Sequence, residues 1–277
     1  MKRAKAPADE VDKVRYDMSA EFDFPEVPCR LKYLVCSIPR TGSWLLCTGL
    51  ASTGQAGRPA EYISRPYMNA FKQRFGLPDD TSKEEFWQYL LKHRTSPNGA
   101  FGVKMHFEHI QANFPKPAEK RKFLARFDRF IFLWRRDKLA QAVSAFKASR
   151  TKVFRLGAEE SVQQAQPLSE LYDYAGIADR LSTIATQEAS WRAILGFFAE
   201  RTFSVTYEEL SSDYAGTLRR VLAALGLDEA ASALNTRPQL RPQRDDMNTA
   251  WEERFVRDLA GAKADPPAST QSEPSAR

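Results

Sequence analysis

Apolar residues gather in four short runs, at 33–38, 101–107, 130–134 and 203–207, each with the length and the polar boundaries of a buried strand. Between them the apolar positions return every three or four residues. Residues 43–52 offer Trp44, Leu45, Leu46, Leu50 and Ala51 to a buried side. Residues 83–93 place Phe86, Tyr89, Leu90 and His93 at helical steps, and 137–149 do the same with Leu139, Ala142, Val143 and Phe146. Two further helices are predicted at 182–199 and 213–225, the second closed by Gly226 as a left-handed cap. Strands alternating with helices imply βαβ units. The expected fold class is therefore α/β, a P-loop-like, mostly parallel sheet flanked by helices.

The two ends break this pattern. Residues 1–28 and 263–277 are poor in apolar residues and rich in charge, Pro and Ser, so flexible segments are expected on either side of one domain over 29–262. A chain of 277 residues, 43% of them hydrophobic, buries a sizeable core, and no internal repeat divides it. The 41 Lys and Arg against 35 Asp and Glu leave a net charge of +6, which suits an anionic ligand without naming it. Three cysteines, Cys29, Cys36 and Cys47, form no disulfide framework and fit a reducing compartment. The first residues are charged and lack the apolar stretch of a secretory leader, and no run of apolar residues is long enough to span a membrane. A soluble, cytoplasmic protein is expected.

The chemistry concentrates where the first strand ends. Ser37-Ile38-Pro39-Arg40-Thr41-Gly42-Ser43 joins that strand to a helix opening at Ser43. Backbone N–H groups at a helix N-terminus point at an anion, and the macrodipole favours negative charge there. Gly42 lets the backbone approach closely, Ser43 offers a hydroxyl, and Arg40 adds a planar fork matched to phosphate or sulfate oxygens. The Walker pattern of ATP-binding loops is missing both its first glycine and its Lys-Ser/Thr pair, which argues against a kinase or NTPase. A plain surface turn would carry much the same residues.

Beyond the loop, the residues resemble a known family. Tyr33 through Cys47, with Gly57-Arg58-Pro59-Ala60-Glu61-Tyr62 downstream, is similar to the Stf0 family of bacterial sulfotransferases. Pro97-Asn98-Gly99-Ala100-Phe101-Gly102-Val103-Lys104-Met105 and Arg135-Arg136-Asp137 through Gln141-Ala142-Val143-Ser144 resemble its later stretches, as do 188–191 and 251–255. The resemblance implies the PAPS sulfotransferase fold and transfer of a sulfuryl group from 3′-phosphoadenosine 5′-phosphosulfate (PAPS) to a hydroxyl of a carbohydrate or glycolipid. It implies that Pro39, Arg40, Thr41, Gly42, Ser43 and Trp44 embrace the 5′-phosphosulfate. Arg135 and Ser144 would hold the 3′-phosphate, with Arg136 the substitute if the register slips by one. Arg237, Arg241 and Arg244 match a late segment that approaches the nucleotide. Glu61 is the implied general base, and a homodimer is implied as well. Met105-His106-Phe107 departs from the family's more usual Met-Trp pairing, which leaves the acceptor open.

Glu61 in a loop would otherwise read as a solvated charge. Sulfuryl transfer needs an in-line attacking oxygen, removal of its proton and neutralisation of the leaving phosphate. Arg40 and the loop amides answer the last need, and Lys104, near the end of a strand, is a candidate to touch the transferring group. His106 is the rival base, because an unperturbed imidazole titrates near neutrality, and it also reads as a core histidine. His106 and His109 lack the spacing of a metal-binding helix, so no metal is expected. Among aromatics placed to stack on a base or sugar, Trp191 stands out. Acceptor choice falls to loops at 63–80 and 150–168, where Arg65, Lys72 and Arg74 are either ligands of an anionic glycan or surface charge. Two other readings are a nucleotide kinase or NTPase and a basic nucleic-acid-binding protein; the missing Walker lysine opposes the first, and no nucleic-acid motif supports the second.

Overall fold

A computed structural model describes residues 14, 17–151, 153–154, 171–238, 240 and 244–262. Four strands, β1 (Leu31–Ser37), β2 (Ala100–His106), β3 (Arg129–Trp134) and β4 (Thr202–Thr206), form one sheet in the order β2-β1-β3-β4. All three pairings are parallel. The expected strands are present with their ends shifted by one or two residues.

The helices are α1 (Ser43–Ala51), α2 (Arg65–Phe75), α3 (Lys83–Arg94), α4 (Phe107–Asn113), α5 (Pro117–Leu124), α6 (Lys138–Thr151), α7 (Tyr174–Leu195), α8 (Tyr207–Ser212), α9 (Tyr214–Ala224) and α10 (Asp246–Ala262). Alternating residues of β1 explain why the sheet is covered on both faces. Leu34 and Cys36 join one apolar cluster with β2, α3 and α7 residues; Tyr33 and Val35 join the other with α1 and α9 residues. Every β1 residue from Tyr33 to Ser37 is buried. Neither face is left to water.

Two expectations need correction. Part of the N-terminal segment read as flexible is packed: Met18 and Val14 join the core, and Phe24 N–H donates to His93 O. Four-residue spacing of two apolar side chains in a charged stretch was enough to dock it. The presumed acceptor loop at 63–80 contains α2, which buries Tyr67 and Phe71 one turn apart, starts with Pro66 in its first turn and stops at Gly76 in the left-handed conformation. Most of 150–168, along with 1–13, Arg241 and the tail 263–277, lies outside the described residues. The three cysteines are free thiols. Among the described residues no helix is long and apolar enough to cross a membrane.

Parallel pairing brings all four strand C-termini to one edge. Ser37 is in register with His106 on β2 and Leu133 on β3, and Trp134 with Thr206 on β4. Segments 38–42, 107–113, 135–137 and 207–212 therefore leave the sheet side by side, at the edge where open α/β sheets bind ligands.

Candidate active site

The loop after β1 is fixed through its carbonyls. Trp191 Nε1 on α7 donates to Ser37 O at 2.9 Å, Thr41 Oγ1 to Ile38 O at 2.9 Å, and Gln141 Nε2 on α6 to Pro39 O at 2.8 Å. The Gly42 carbonyl accepts from Leu46 N in the first turn of α1. Arg40 has a positive φ of 67° and Gly42 one of 76°. A left-handed arginine is strained, and reversals of this kind turn successive N–H groups toward one point, where an anion binds. At Gly42 a Cβ would stand 2.9 Å from the Tyr207 ring, so glycine is required by both conformation and space.

The loop opens on a cavity of about 840 Å³. Its walls include Pro39, Arg40, Gly42, Ser43 and Trp44 from the loop and α1, Arg135 and Ser144 from the β3–α6 segment, and Glu61, His106 and His109 opposite. Arg244 also reaches it, while its guanidinium pairs with Glu252 Oε2 at 2.8 Å. Thr41 is buried beside the wall. Arg237 is exposed and does not line the cavity.

Two guanidinium groups share this space. Arg40 Nε donates to Ser144 Oγ at 3.0 Å and its Nη1 to Phe154 O at 2.5 Å. Burial and then the charge of Arg135 push the Arg40 pKa down to about 10. Arg135 is buried, with its own pKa lowered by burial, lies over the Tyr207 ring at 4.7 Å, and keeps an Nε–H that no acceptor meets. A buried cation with an orphaned donor beside a half-buried one is a costly arrangement that a multiply charged anion relieves. Of the two arginines ending β3, Arg135 faces the cavity and Arg136 is exposed, its backbone N–H held by Glu208.

Glu61 reaches the cavity because its loop is stitched to β2, an edge strand. Gly57 N donates to Ser96 Oγ at 3.0 Å, and Lys104 N donates to Ala60 O at 2.9 Å. Gly57 has φ of 64°, and a Cβ there would meet Ala100 O at 2.9 Å. The same stitching lays the Glu61 side chain against the Lys104 side chain. Lys104 Nζ is 2.5 Å from Glu61 Oε1 and 4.1 Å above the Trp44 ring, and Lys104 is fully buried without lining the cavity. His106 Nε2 lies 3.2 Å from the same Oε1, and His109 Nε2 lies 3.9 Å from Oε2. Burial pushes the Glu61 carboxyl up, but Lys104 and the two histidines outweigh it and hold the group well below the usual carboxylate range. Burial lowers both imidazoles, His109 to about 4. At neutral pH the cluster therefore holds a carboxylate and two neutral rings beside Lys104. Among the described residues no three His, Cys, Asp or Glu side chains converge to hold a metal.

Sequence reasoning missed Gln141, Tyr207 and His109. Gln141 carried a signal, since a polar residue on the apolar side of a helix demands a partner, here Pro39 O. Trp191 lies fully buried, with its ring edge on Phe107 at 5.5 Å, and does not line the cavity; it anchors the end of β1. Lys72 and Arg74 spend their charges on Asp79 O and Asp23, leaving Arg65 as the member of that trio on the cavity wall.

The chain is similar in sequence to known proteins. The chain is 28% identical over 262 residues to the trehalose 2-sulfotransferase of Mycolicibacterium smegmatis, covering 82% of this chain and 94% of that one. It is 25% identical over 259 residues to the trehalose 2-sulfotransferase of Mycobacterium tuberculosis, covering 80% and 93%. A solved sulfotransferase from Alicyclobacillus acidocaldarius aligns with a TM-score of 0.46 at 14% identity, covering 85% of this chain and 95% of that one. The model of the Stf0 sulphotransferase family matches residues 32–258, which include every residue named above as lining the cavity, and the chain belongs to that family.

Proposed function

We propose that this sulfotransferase takes its sulfuryl group from PAPS and delivers it to a carbohydrate hydroxyl. The observation that carries this reading is the 3.0 Å hydrogen bond from Arg40 to Ser144, which joins the anion loop to the β3–α6 segment in one cavity beside the orphaned guanidinium of Arg135. Two separated anion sites suit a donor phosphorylated at two positions. PAPS supplies the sulfuryl group and leaves as 3′-phosphoadenosine 5′-phosphate (PAP).

Arg40 with the amides of Gly42 and Ser43 receives the 5′-phosphosulfate and takes up the charge that grows on the leaving phosphate. Arg135 and Ser144 hold the 3′-phosphate. Glu61 accepts the proton of the attacking hydroxyl, and Lys104 keeps it ionised and aimed. Trp44, between Lys104 and Tyr67, gives the cavity an apolar wall for a sugar face. A sugar acceptor is supported by the two relatives, both named for trehalose.

Sulfur-35-labelled PAPS tests the reading. Label should move to trehalose or to methyl glycosides with the wild type and should not move with Glu61→Gln. Nucleotide hydrolysis from ATP with PAPS left intact would contradict it.

A further inference from the structure

The two oxygens of Glu61 are in different circumstances. Oε1 is engaged by Lys104 at 2.5 Å and His106 at 3.2 Å. Oε2 has no hydrogen-bond partner among the described residues; His109 Nε2 lies 3.9 Å from it, beyond bonding distance. Neither atom is sealed away from solvent, and both residues line the cavity. The proton-accepting atom is therefore Oε2.

His109 is equally defined. Its Nδ1 accepts the backbone N–H of His106 at 3.2 Å, at the start of α4. A neutral ring with Nδ1 as acceptor carries its proton on Nε2. That nitrogen lies 3.9 Å from Glu61 Oε2 and 3.9 Å from Glu108 Oε1, within bonding reach of neither, in a residue that lines the cavity. An acceptor carboxylate oxygen and a donor N–H thus stand side by side, separated by more than one hydrogen bond and less than two.

Two neighbouring hydroxyls of a sugar match this spacing. Gauche vicinal oxygens lie about one hydrogen-bond length apart, roughly 2.8 Å, so each meets one of the two protein atoms with both bonds nearly parallel. We propose that Glu61 and His109 select acceptors bearing a vicinal diol: Glu61 Oε2 takes the proton of the attacking hydroxyl, while His109 Nε2–H donates to the oxygen next to it. The O–H bond of the attacking group breaks toward Oε2 and its electron pair forms the O–S bond. The bond from sulfur to the leaving phosphate breaks with its pair on that phosphate. A donor on the attacking oxygen itself would withdraw the lone pair that attacks, which is why His109 serves the neighbour. This inference rests on the proposed transfer to sugars and narrows its substrate class.

The experiment uses the full chain, labelled PAPS, and a panel of trehalose and methyl glucoside, galactoside and mannoside with their mono-deoxy analogues. With the wild type, deleting the hydroxyl adjacent to the sulfated one should raise the acceptor KM roughly tenfold, the worth of one hydrogen bond in a desolvated site. His109→Glu keeps an acceptor for the α4 N-terminus, since Glu caps at this position, but carries no donor where the ring Nε2–H stood. Its KM for the intact sugar should rise by a similar factor, the deoxy analogue should then be no worse, and its PAP affinity should stay within about twofold of wild type. An unchanged KM and undiminished discrimination in His109→Glu would overturn the proposal, as would wild-type indifference to the adjacent hydroxyl, which is informative even if the variant misfolds. Transfer to none of these sugars with PAP binding intact rejects the diol together with the sugar acceptor and leaves the donor site standing. Absence of PAP binding rejects the donor reading itself.

Discussion

Lys104 Nζ lies 2.5 Å from Glu61 Oε1, and the lysine is fully buried while the carboxylate is partly open to the cavity. The pair is asymmetric by design of the fold. Lys104 is held in β2 and cannot follow solvent, so the ion pair aims Glu61 rather than neutralising a surface charge. Removing Glu61's charge should leave the donor site intact. Glu61→Gln is expected to keep PAP affinity within about threefold and to lower turnover by roughly two to four orders of magnitude, measured by calorimetry and labelled transfer. Near-normal turnover would move the proton to His106.

The pH profile reports the charge of the base. The Glu61 carboxyl is held well below 4.5, so it stays ionised through the neutral range, whereas a base with an ordinary imidazole pKa would lose activity on acidification near 6.5. The acid limb of kcat/KM should therefore fall below about pH 5. A limb centred near 6.5 contradicts Glu61.

Stability should also fall on acidification, because both kinds of group have folded pKa values lowered from those of the unfolded chain. His106 and His109 have folded pKa values below that of the unfolded chain, so the unfolded state binds protons first as pH drops below about 6.5. Glu61 is depressed too, so its contribution is present above about pH 4.5 and is lost as pH falls through its folded value. Thermal melts should show a declining Tm from pH 6.5 to 4, and His109→Gln should flatten part of that decline. A Tm that rises over this interval contradicts the neutral, buried histidines.

Gly42→Ala places a methyl 2.9 Å from the Tyr207 ring in a left-handed backbone. The conformation alone costs about 1–2 kcal/mol. Because Tyr207 backs Arg135, the variant should lose PAP affinity more than its loss of Tm explains; equal affinity would show that the loop's shape does not matter to the donor.

Trp191→Phe keeps most of the buried ring and deletes the donor to Ser37 O. A cost of about 1–3 kcal/mol in denaturant unfolding is expected, with weakened PAP binding because Ser37 begins the loop. Unchanged stability would mean that the end of β1 is held elsewhere.

The strands and the loop were legible in the sequence because a sheet buried on both faces writes itself as continuous apolar runs, and Pro39, Arg40 and Gly42 punctuate the end of one. The stretch containing α2 was read as loop because only Tyr67 and Phe71 of its turns are buried, among Arg65, Asn69, Lys72, Gln73 and Arg74. Glu61 was legible only through family resemblance. Nothing in its own segment shows that Lys104 N–H and Nζ, 43 residues on, hold its loop and its side chain together. Arg135 was preferred to Arg136 only through family resemblance, and nothing in the sequence shows that Glu208 holds the backbone N–H of Arg136 on the exposed side.

The central claim is that the loop at 38–43 and the Arg135–Ser144 segment form one donor site. Calorimetric titration with PAP of the wild type, Arg40→Ala and Arg135→Ala tests it most directly. Saturable binding to the wild type is predicted, weakened at least about tenfold in either variant, since each loses charge-assisted hydrogen bonds to phosphate. No detectable binding to the wild type at near-millimolar PAP, or full affinity in both variants, would contradict it.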